Sequence, residues 1–487
     1  MIPSLREACG VFGVYAPGEA VARLTFFALY SLQHRGQESA GIATSDGERL
    51  HLYAEMGLVT QIFREDVLER LPGIAAIGHT RYSTTGSSVA GNAQPLLIDC
   101  PDGQLALAHN GNVVNAEVLR SDLVEQGVQF NTSTDSEVLA QLIATAPAED
   151  WQERFRYMMR RAVGAYSLTI LTRDALFGVR DPNGIRPLCI GRLDSGLVLA
   201  SETCALDHLG AEFVREVQPG EVVRIDGDGI ESWFPLGDPE QERAARPALC
   251  LFEYIYFARP DSRLGGELLH PVRMRMGAQL AREHPVEADL VIGVPDSATP
   301  AAIGYARESG IPYAEGLIKN RYVGRTFIQA DQHLREQGVQ LKFNPLREEL
   351  EGKRIVVVDD SIVRGTTTPR VVAMLRRAGV KEVHMRITSP PIQHPCFYGV
   401  DMATRGELIA AHNDVEAIRK HIGADSLGYL SLEGTMAATG QPANSLCNAC
   451  FSGKYPTEVP LEFDKFSLEA DERRPDRHAL PLPVFTR

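Results

Sequence analysis

No run of apolar residues in this chain approaches the 18 or more that a membrane-spanning helix needs; short runs such as IVVV at 355–358 suit buried strands. The first eight residues, MIPSLREA, lack the apolar core of about 7–15 residues that marks a secretory leader, and read as a short propeptide ahead of Cys9. Basic charge is in deficit as well: 49 Lys and Arg stand against 63 Asp and Glu, a formal net charge of −14. That balance excludes a general nucleic-acid or membrane-surface binder, while leaving room for a local phosphate site. Cysteine is sparse, with eight in 487 residues, far below the density of a disulfide scaffold. A reducing cytoplasm is the expected compartment, and the thiols are to be weighed first as catalytic or metal-binding groups. The chain shows no internal repeat.

What is present reads as two grammars. A chain of this length exceeds what one hydrophobic core serves, so two or three domains are expected. Over residues 9–232, strand-like runs (GVFGVY, LALAHNGNVV, YSLTILT, GLVLAS, EVVRI) are interrupted by helical patterns at 21–33 and 136–146. An α+β domain of packed sheets with helices outside is expected. The segment 233–249, rich in proline and charge, reads as a linker. Residues 250–464 then alternate strands and helices, with strands apolar throughout, which indicates an α/β domain with a mostly parallel sheet. The tail, 465–487, is dense in charge and proline and is expected to pack loosely.

The most specific stretch is RIVVVDDSIVRGTTTPRVV, 354–372. A buried strand delivers two adjacent acids, Asp359 and Asp360. Ser361, Arg364, Gly365, Thr366, Thr367 and Thr368 then form a hydroxyl-rich loop before a helix, an arrangement that binds phosphate through N–H groups and the positive helix end. Carboxylates cannot bind phosphate, so the paired acids point to sugar hydroxyls, a developing cation or Mg²⁺. Together these groups describe a phosphorylated sugar.

This stretch resembles the phosphoribosylpyrophosphate signature of the type I phosphoribosyltransferases. The resemblance extends to VIGVPDSATPAAIGYA, 291–306, similar to that family's pyrophosphate loop, with Asp296 and Ser297 after the strand. It extends also to KNRYVGRTFI, 319–328, similar to the loop that closes over the substrate. It implies that Lys319, Arg321 and Arg325 neutralise departing pyrophosphate, and that Mg²⁺ is held by Ser297, Asp359 and Asp360 along with substrate phosphate.

Cys9 opens an apolar strand. If residues 1–8 are removed it carries both a thiol and a free α-amine, whose pKa near 8 suits a general base, so the nucleophile supplies its own base. In HNGN, 109–112, the Asn110 side-chain amide and the Gly111 N–H can serve as oxyanion donors. Arg81 in GHTRYSTTG suits an α-carboxylate, and Asp135 in STDSE suits an α-ammonium, although STDSE also reads as a helix cap; Arg35 in LQHRGQESAGIA is a candidate support of the pocket. The order CGVFG, QHRGQESAG, GHTRYSTTG, HNGN, STDSE resembles the N-terminal-nucleophile glutamine amidotransferases, whose fold is an αββα sandwich. That implies glutamine hydrolysis through a γ-glutamyl thioester on Cys9, with Arg35, Arg81 and Asp135 binding glutamine.

Such a domain joined to a phosphoribosyltransferase resembles the amidophosphoribosyltransferases, which make 5-phosphoribosylamine from glutamine and phosphoribosylpyrophosphate. The resemblance implies an internal ammonia passage, feedback inhibition by purine nucleotides and a homotetramer. Cys447 and Cys450 form a C-x-x-C pair that Cys250 and Cys396 could complete to four thiolates, with zinc also acceptable by spacing. One subset of the family carries a [4Fe–4S] cluster and a cleaved propeptide, which implies that cluster here; Cys100, Cys189 and Cys204 lack such pairing and read as structural. Two other readings use only part of these residues. A phosphoribosylpyrophosphate-binding regulator without transferase activity leaves the Cys9 constellation idle, and a glutaminase feeding another acceptor leaves the paired acids idle.

Overall fold

A computed structural model describes residues 9–82, 86–237, 246–320, 343–402, 404–459 and 468. The expected propeptide, Arg321 and Arg325, and the tail apart from Leu468 lie outside these residues, as do 238–245 of the expected linker. The chain divides into two compact units. One takes the described residues up to Cys250, with 396–402, 455–459 and Leu468; the other takes Leu251–Pro395 and Thr404–Lys454.

Thirteen strands of the first unit build its two large sheets: β1 (Gly10–Tyr15), β2 (Ser39–Ser45), β3 (Leu50–Met56), β4 (Ala75–Arg81), β5 (Leu96–Cys100), β6 (Gly103–Val113), β7 (Gly164–Leu171), β8 (Leu176–Arg180), β9 (Cys189–Leu193), β10 (Gly196–Ala200), β11 (Glu212–Glu216), β12 (Val222–Asp226) and β13 (Gly229–Trp233). They form a seven-stranded sheet, β11-β9-β10-β1-β4-β2-β3, and a six-stranded sheet, β13-β12-β8-β7-β6-β5, antiparallel throughout. Alternation along β1 shows why both faces are apolar. Val11 packs with Ala106, Ala108 and Leu171 of the other sheet, while Phe12 and Val14 pack outward against Ala28, Leu29 and Leu206 of the helices Val21–Ser31 and Thr203–Leu209. Phe12 is wholly buried, and truncating it to Ala should cost on the order of 3–5 kcal/mol. Helices Ala116–Glu125, Asp135–Ala144 and Trp151–Arg161 pack with the second sheet in a further core. The layers are αββα, as the sequence pattern indicates.

The second unit holds four parallel strands in the order Leu290–Gly293, Arg354–Asp359, Glu382–Ile387, Ser426–Tyr429. Ile355–Val358 are fully buried, and their unbroken apolar run reflects a strand covered on both faces. Because the first two strands are parallel neighbours, the loops after Gly293 and Asp359 emerge side by side at the carboxyl edge, where open α/β sheets bind ligands.

Residues 396–402, which the sequence groups with 250–464, fold with the first unit. Asn112 Nδ2 donates to the Phe397 carbonyl at 3.0 Å, and Arg186 Nε donates to the Tyr398 carbonyl at 2.9 Å. Among the described residues, no helix is long and apolar enough to cross a membrane.

Candidate active site

Cys9 lies at the head of β1, 6% exposed. Its Sγ donates to the Tyr82 carbonyl at 3.2 Å and accepts from the Tyr82 N–H at 3.4 Å. Burial pushes the thiol up to about 11; the Tyr82 hydrogen bond and the Arg81 guanidinium oppose the rise, while Glu38 and Asp135 add to it. The fold thus brings Arg81 and Asp135 within electrostatic reach of the thiol. Among the described residues, no imidazole hydrogen-bonds to Sγ.

β6 carries Asn110 and Gly111. The Asn110 amide is fully buried and neither its oxygen nor its nitrogen has a hydrogen-bond partner. Leaving such a group unmatched costs about 1–3 kcal/mol, which a ligand oxygen accepting from Nδ2 would offset. Gly111 has φ of +151°, and a Cβ there would lie 2.0 Å from the Ala165 carbonyl oxygen, so only glycine lets β6 run this close to β7.

Arg81 ends β4 and is 2% exposed. Its Nη1 donates to the Ser87 carbonyl at 3.3 Å and stands 3.8 Å from Glu38 Oε2, a partner within QHRGQESAG that sequence reasoning passed over. Asp135 opens its helix, and the capping reading of STDSE holds through Thr134, which accepts from the Glu137 N–H, while Asp135 Oδ2 accepts from the Val113 N–H at 2.9 Å. Arg35 is 1% exposed and donates to Glu202 Oε1, which also pairs with His34. It packs beside Gly10, so it supports the wall and its Nε is directed to Glu202.

The second unit gathers the other predicted set. Asp360 Oδ2 accepts from Ser297 Oγ at 2.5 Å and Oδ1 from Ser361 Oγ at 2.6 Å, while Asp359 Oδ1 accepts from the Asp360 N–H. Lys319 pairs with Asp296. The ten-residue helix Thr368–Arg377 begins after Thr367, whose hydroxyl is buried and makes no hydrogen bond, while Thr366 is exposed. That orphaned hydroxyl beside a helix N-terminus suits a phosphate oxygen. Gly365 has φ of +65° and its carbonyl accepts from His421 Nε2 at 3.0 Å. Arg364 Nε donates to Glu407 at 2.9 Å, a pairing no local motif announced.

Ser297 Oγ and the Asp360 carboxylate are hydrogen-bonded to each other, and with Asp359 they offer hard oxygen donors of the kind Mg²⁺ accepts. Cys447 ends the strand Leu446–Cys447 and Cys450 sits in the turn of helix Ala449–Ser452, while Cys250 and Cys396 belong to the first unit. The Tyr398 N–H donates to Cys396 Sγ at 3.4 Å, a bond that suits a thiolate ligand. Among the described residues, no three His, Cys, Asp or Glu side chains stand together as a metal site, and the eight cysteines form no disulfide.

Two families match the chain: a glutamine amidotransferase domain over residues 79–208 and a phosphoribosyl transferase domain over residues 271–388. An amidophosphoribosyltransferase of Synechococcus elongatus is 55% identical over 468 residues, covering 95% of this chain and 94% of its own. One from Methanocaldococcus jannaschii is 51% identical over 466 residues, covering 93% and 98%. A solved structure of a glutamine phosphoribosylpyrophosphate amidotransferase from B. subtilis, in complex with ADP and GMP, aligns with a TM-score of 0.88 at 48% identity over 95% of this chain and all of that one. A structure described as the allosteric regulatory enzyme of purine biosynthesis aligns with a TM-score of 0.87 at 50% identity, covering 93% and 97%. By these matches over nearly its whole length, with both domains present in order, the chain belongs to the amidophosphoribosyltransferase family.

Proposed function

We propose that the chain converts glutamine, 5-phosphoribosyl 1-diphosphate and water to 5-phosphoribosylamine, glutamate and diphosphate, the first committed step of purine biosynthesis. The observation that carries this reading is the buried Cys9 thiol under the influence of Arg81 and Asp135, on a chain that also presents the Asp359–Asp360 loop. Arg81 takes the glutamine α-carboxylate and Asp135 its α-ammonium. A thiol held near 11 does not ionise alone at neutral pH, so a base must take its proton as it attacks. Removal of residues 1–8 would give that base as the Cys9 α-amine. The Asn110 amide and Gly111 N–H then receive the oxyanion, each such donor contributing about 2.7–4 kcal/mol.

In the second unit, Thr366, Thr367 and Thr368 hold the 5-phosphate, Asp359 and Asp360 face the ribose, and Lys319, Arg321 and Arg325 balance the departing diphosphate. Mg²⁺ on Ser297, Asp359 and Asp360 supplies further charge neutralisation when bound. Cys250, Cys396, Cys447 and Cys450 are the proposed ligands of a structural [4Fe–4S] cluster, on the chemistry of four thiols with one C-x-x-C pair. Purine nucleotides as feedback inhibitors, a homotetramer and a cytoplasmic setting complete the proposal; the relative solved with ADP and GMP motivates the first.

The test is intact mass of anaerobically purified protein, followed by diphosphate release on adding glutamine. A chain starting at Cys9 that releases diphosphate supports the reading. Binding of the sugar phosphate without release would favour a regulator instead. Iron and acid-labile sulfide near four per chain would support the cluster, and zinc near one per chain would replace it.

A further inference from the structure

Three side chains that this mechanism does not use close a hydrogen-bonded ring in the first unit. The His109 backbone N–H donates to Gln94 Oε1 at 2.9 Å, Gln94 Nε2 donates to Ser136 Oγ at 2.8 Å, and Ser136 Oγ stands 3.1 Å from His109 Nδ1. The other ring nitrogen, His109 Nε2, faces the Ala165 carbonyl at 3.3 Å. Two of these groups have no choice of role: a backbone N–H only donates and a carbonyl only accepts. They settle the rest. Gln94 must present its oxygen to His109 and Nε2 must carry a hydrogen; in the neutral imidazole Nδ1 then keeps its lone pair, with Asp135 Oδ2 3.7 Å from it. The Ser136 hydroxyl, already accepting from Gln94, must donate to Nδ1. Gln94, Ser136 and His109 are at most 3% exposed, so solvent does not complete the ring. Burial also pushes His109 down, against the pull of Asp135, in keeping with a neutral imidazole.

Two members of the ring adjoin residues of the proposed glutamine site. His109 precedes Asn110 and Gly111 on β6, and Ser136 follows Asp135, whose carboxylate accepts from the Val113 N–H on the same strand. The His109 carbonyl accepts from His79 Nε2 at 3.0 Å, two residues before Arg81 on β4. We infer that Gln94, Ser136 and His109 are positioning residues that hold the oxyanion donors of β6 in register with the ammonium anchor Asp135, and that Gln94 fixes the ring's direction. A hydroxyl and an imidazole can each reverse their roles, whereas the Gln94 amide has one accepting and one donating end and its accepting end is pinned by a backbone N–H. This inference rests on the proposed glutamine chemistry.

The test is steady-state kinetics of the full chain with glutamine and, separately, with ammonia, for Gln94→Leu, Ser136→Ala and Ser136→Thr. Gln94→Leu and Ser136→Ala should lower kcat with glutamine about 10–100-fold, a partial loss of oxyanion stabilisation, with KM for glutamine within about threefold. Ser136→Thr, which keeps the hydroxyl, should recover most of that loss, and ammonia-driven synthesis should stay within about twofold of the parent in all three. Glutamine turnover within twofold of the parent in Gln94→Leu and Ser136→Ala would overturn the ring, as would a change confined to KM or a Ser136→Thr variant no better than Ser136→Ala. If Gln94→Leu does not fold, the two Ser136 variants decide alone. A parent that does not consume glutamine would overturn the functional reading and the ring with it, and so tells the two failures apart.

Discussion

The first unit buries all of its candidate groups, whereas the second joins a buried Asp360, 7% exposed, to groups that meet solvent. Cys9, Arg81, Asn110 and Asp135 lie among stacked sheets, none more than 6% exposed, while the Asp296 and Lys319 side chains at the edge of the parallel sheet are 76% and 33% exposed. The interior site is organised before substrate arrives: the Tyr82 backbone clamps the thiol, the Val113 N–H holds Asp135, and an unmatched Asn110 amide waits for an acceptor. The edge site leaves a Thr367 hydroxyl without a partner and a Lys319 ammonium in reach of solvent. Burial makes each interior charge or dipole matter more, because low local dielectric strengthens every interaction it makes.

That contrast predicts a graded set of effects. Cys9→Ala should abolish glutamine-driven synthesis by about 10⁴-fold or more while leaving ammonia-driven synthesis near the parent rate, measured side by side. Should ammonia-driven synthesis fall equally, the division of labour between the units is wrong. Asn110→Ala should cost about 10²–10³-fold in kcat with glutamine and little in KM, because the amide acts on the oxyanion and not on bound substrate. Asp360→Asn should lower synthesis about 100-fold from either nitrogen source while glutamine hydrolysis persists, read by glutamate release. Glutamate release falling in step with synthesis would contradict that separation.

A smaller effect concerns pH. Burial pushes His79 down to about 3, far below its ordinary 6.5. The unfolded chain therefore takes up a proton at this residue below about pH 6.5 that the folded chain refuses until about pH 3. The sign follows: stability is lost as pH falls through that window, by up to about 1.4 kcal/mol per pH unit for one proton. His79→Gln should flatten the slope of the urea midpoint against pH by that one proton, and an unchanged slope would show that His79 is not held neutral. At the low end, Lys319→Ala should change diphosphate-coupled turnover by less than about tenfold, and the difference should shrink in high salt, since its pairing is solvent-exposed. A loss that persists in high salt would place Lys319 closer in kind to the interior site.

Much of this was legible along the chain. The β-type runs around Cys9 form the antiparallel sheets, the IVVV run forms a buried parallel strand, and the helical patterns at 21–33 and 136–146 appear as Val21–Ser31 and Asp135–Ala144. Cys9, Arg81 and Asp135 lie within electrostatic reach of one another. What escaped was partnership. The pocket role expected of Arg35 and the phosphate-loop role expected of Arg364 give no sign of the carboxylates they donate to, Glu202 and Glu407, 167 and 43 residues away. No periodicity or spacing signals a bond across such a distance. Gln94 was equally silent, because a glutamine in a loop has no local signature until His109 and Ser136 are folded beside it.

The sequence by itself determined the chemistry on offer: a thiol that can become N-terminal, two adjacent acids after an apolar strand, hydroxyls before a helix, and the period of each element. These are local properties, carried by residue type and by spacings of a few residues. Only the tertiary structure decided which groups are dry, which are matched and which are left for a ligand. It also decided that 396–402 closes against Asn112 and Arg186 rather than staying with its neighbours in sequence. Burial and hydrogen-bond partnership depend on segments tens to hundreds of residues apart, and those distances are settled only when the sheets stack.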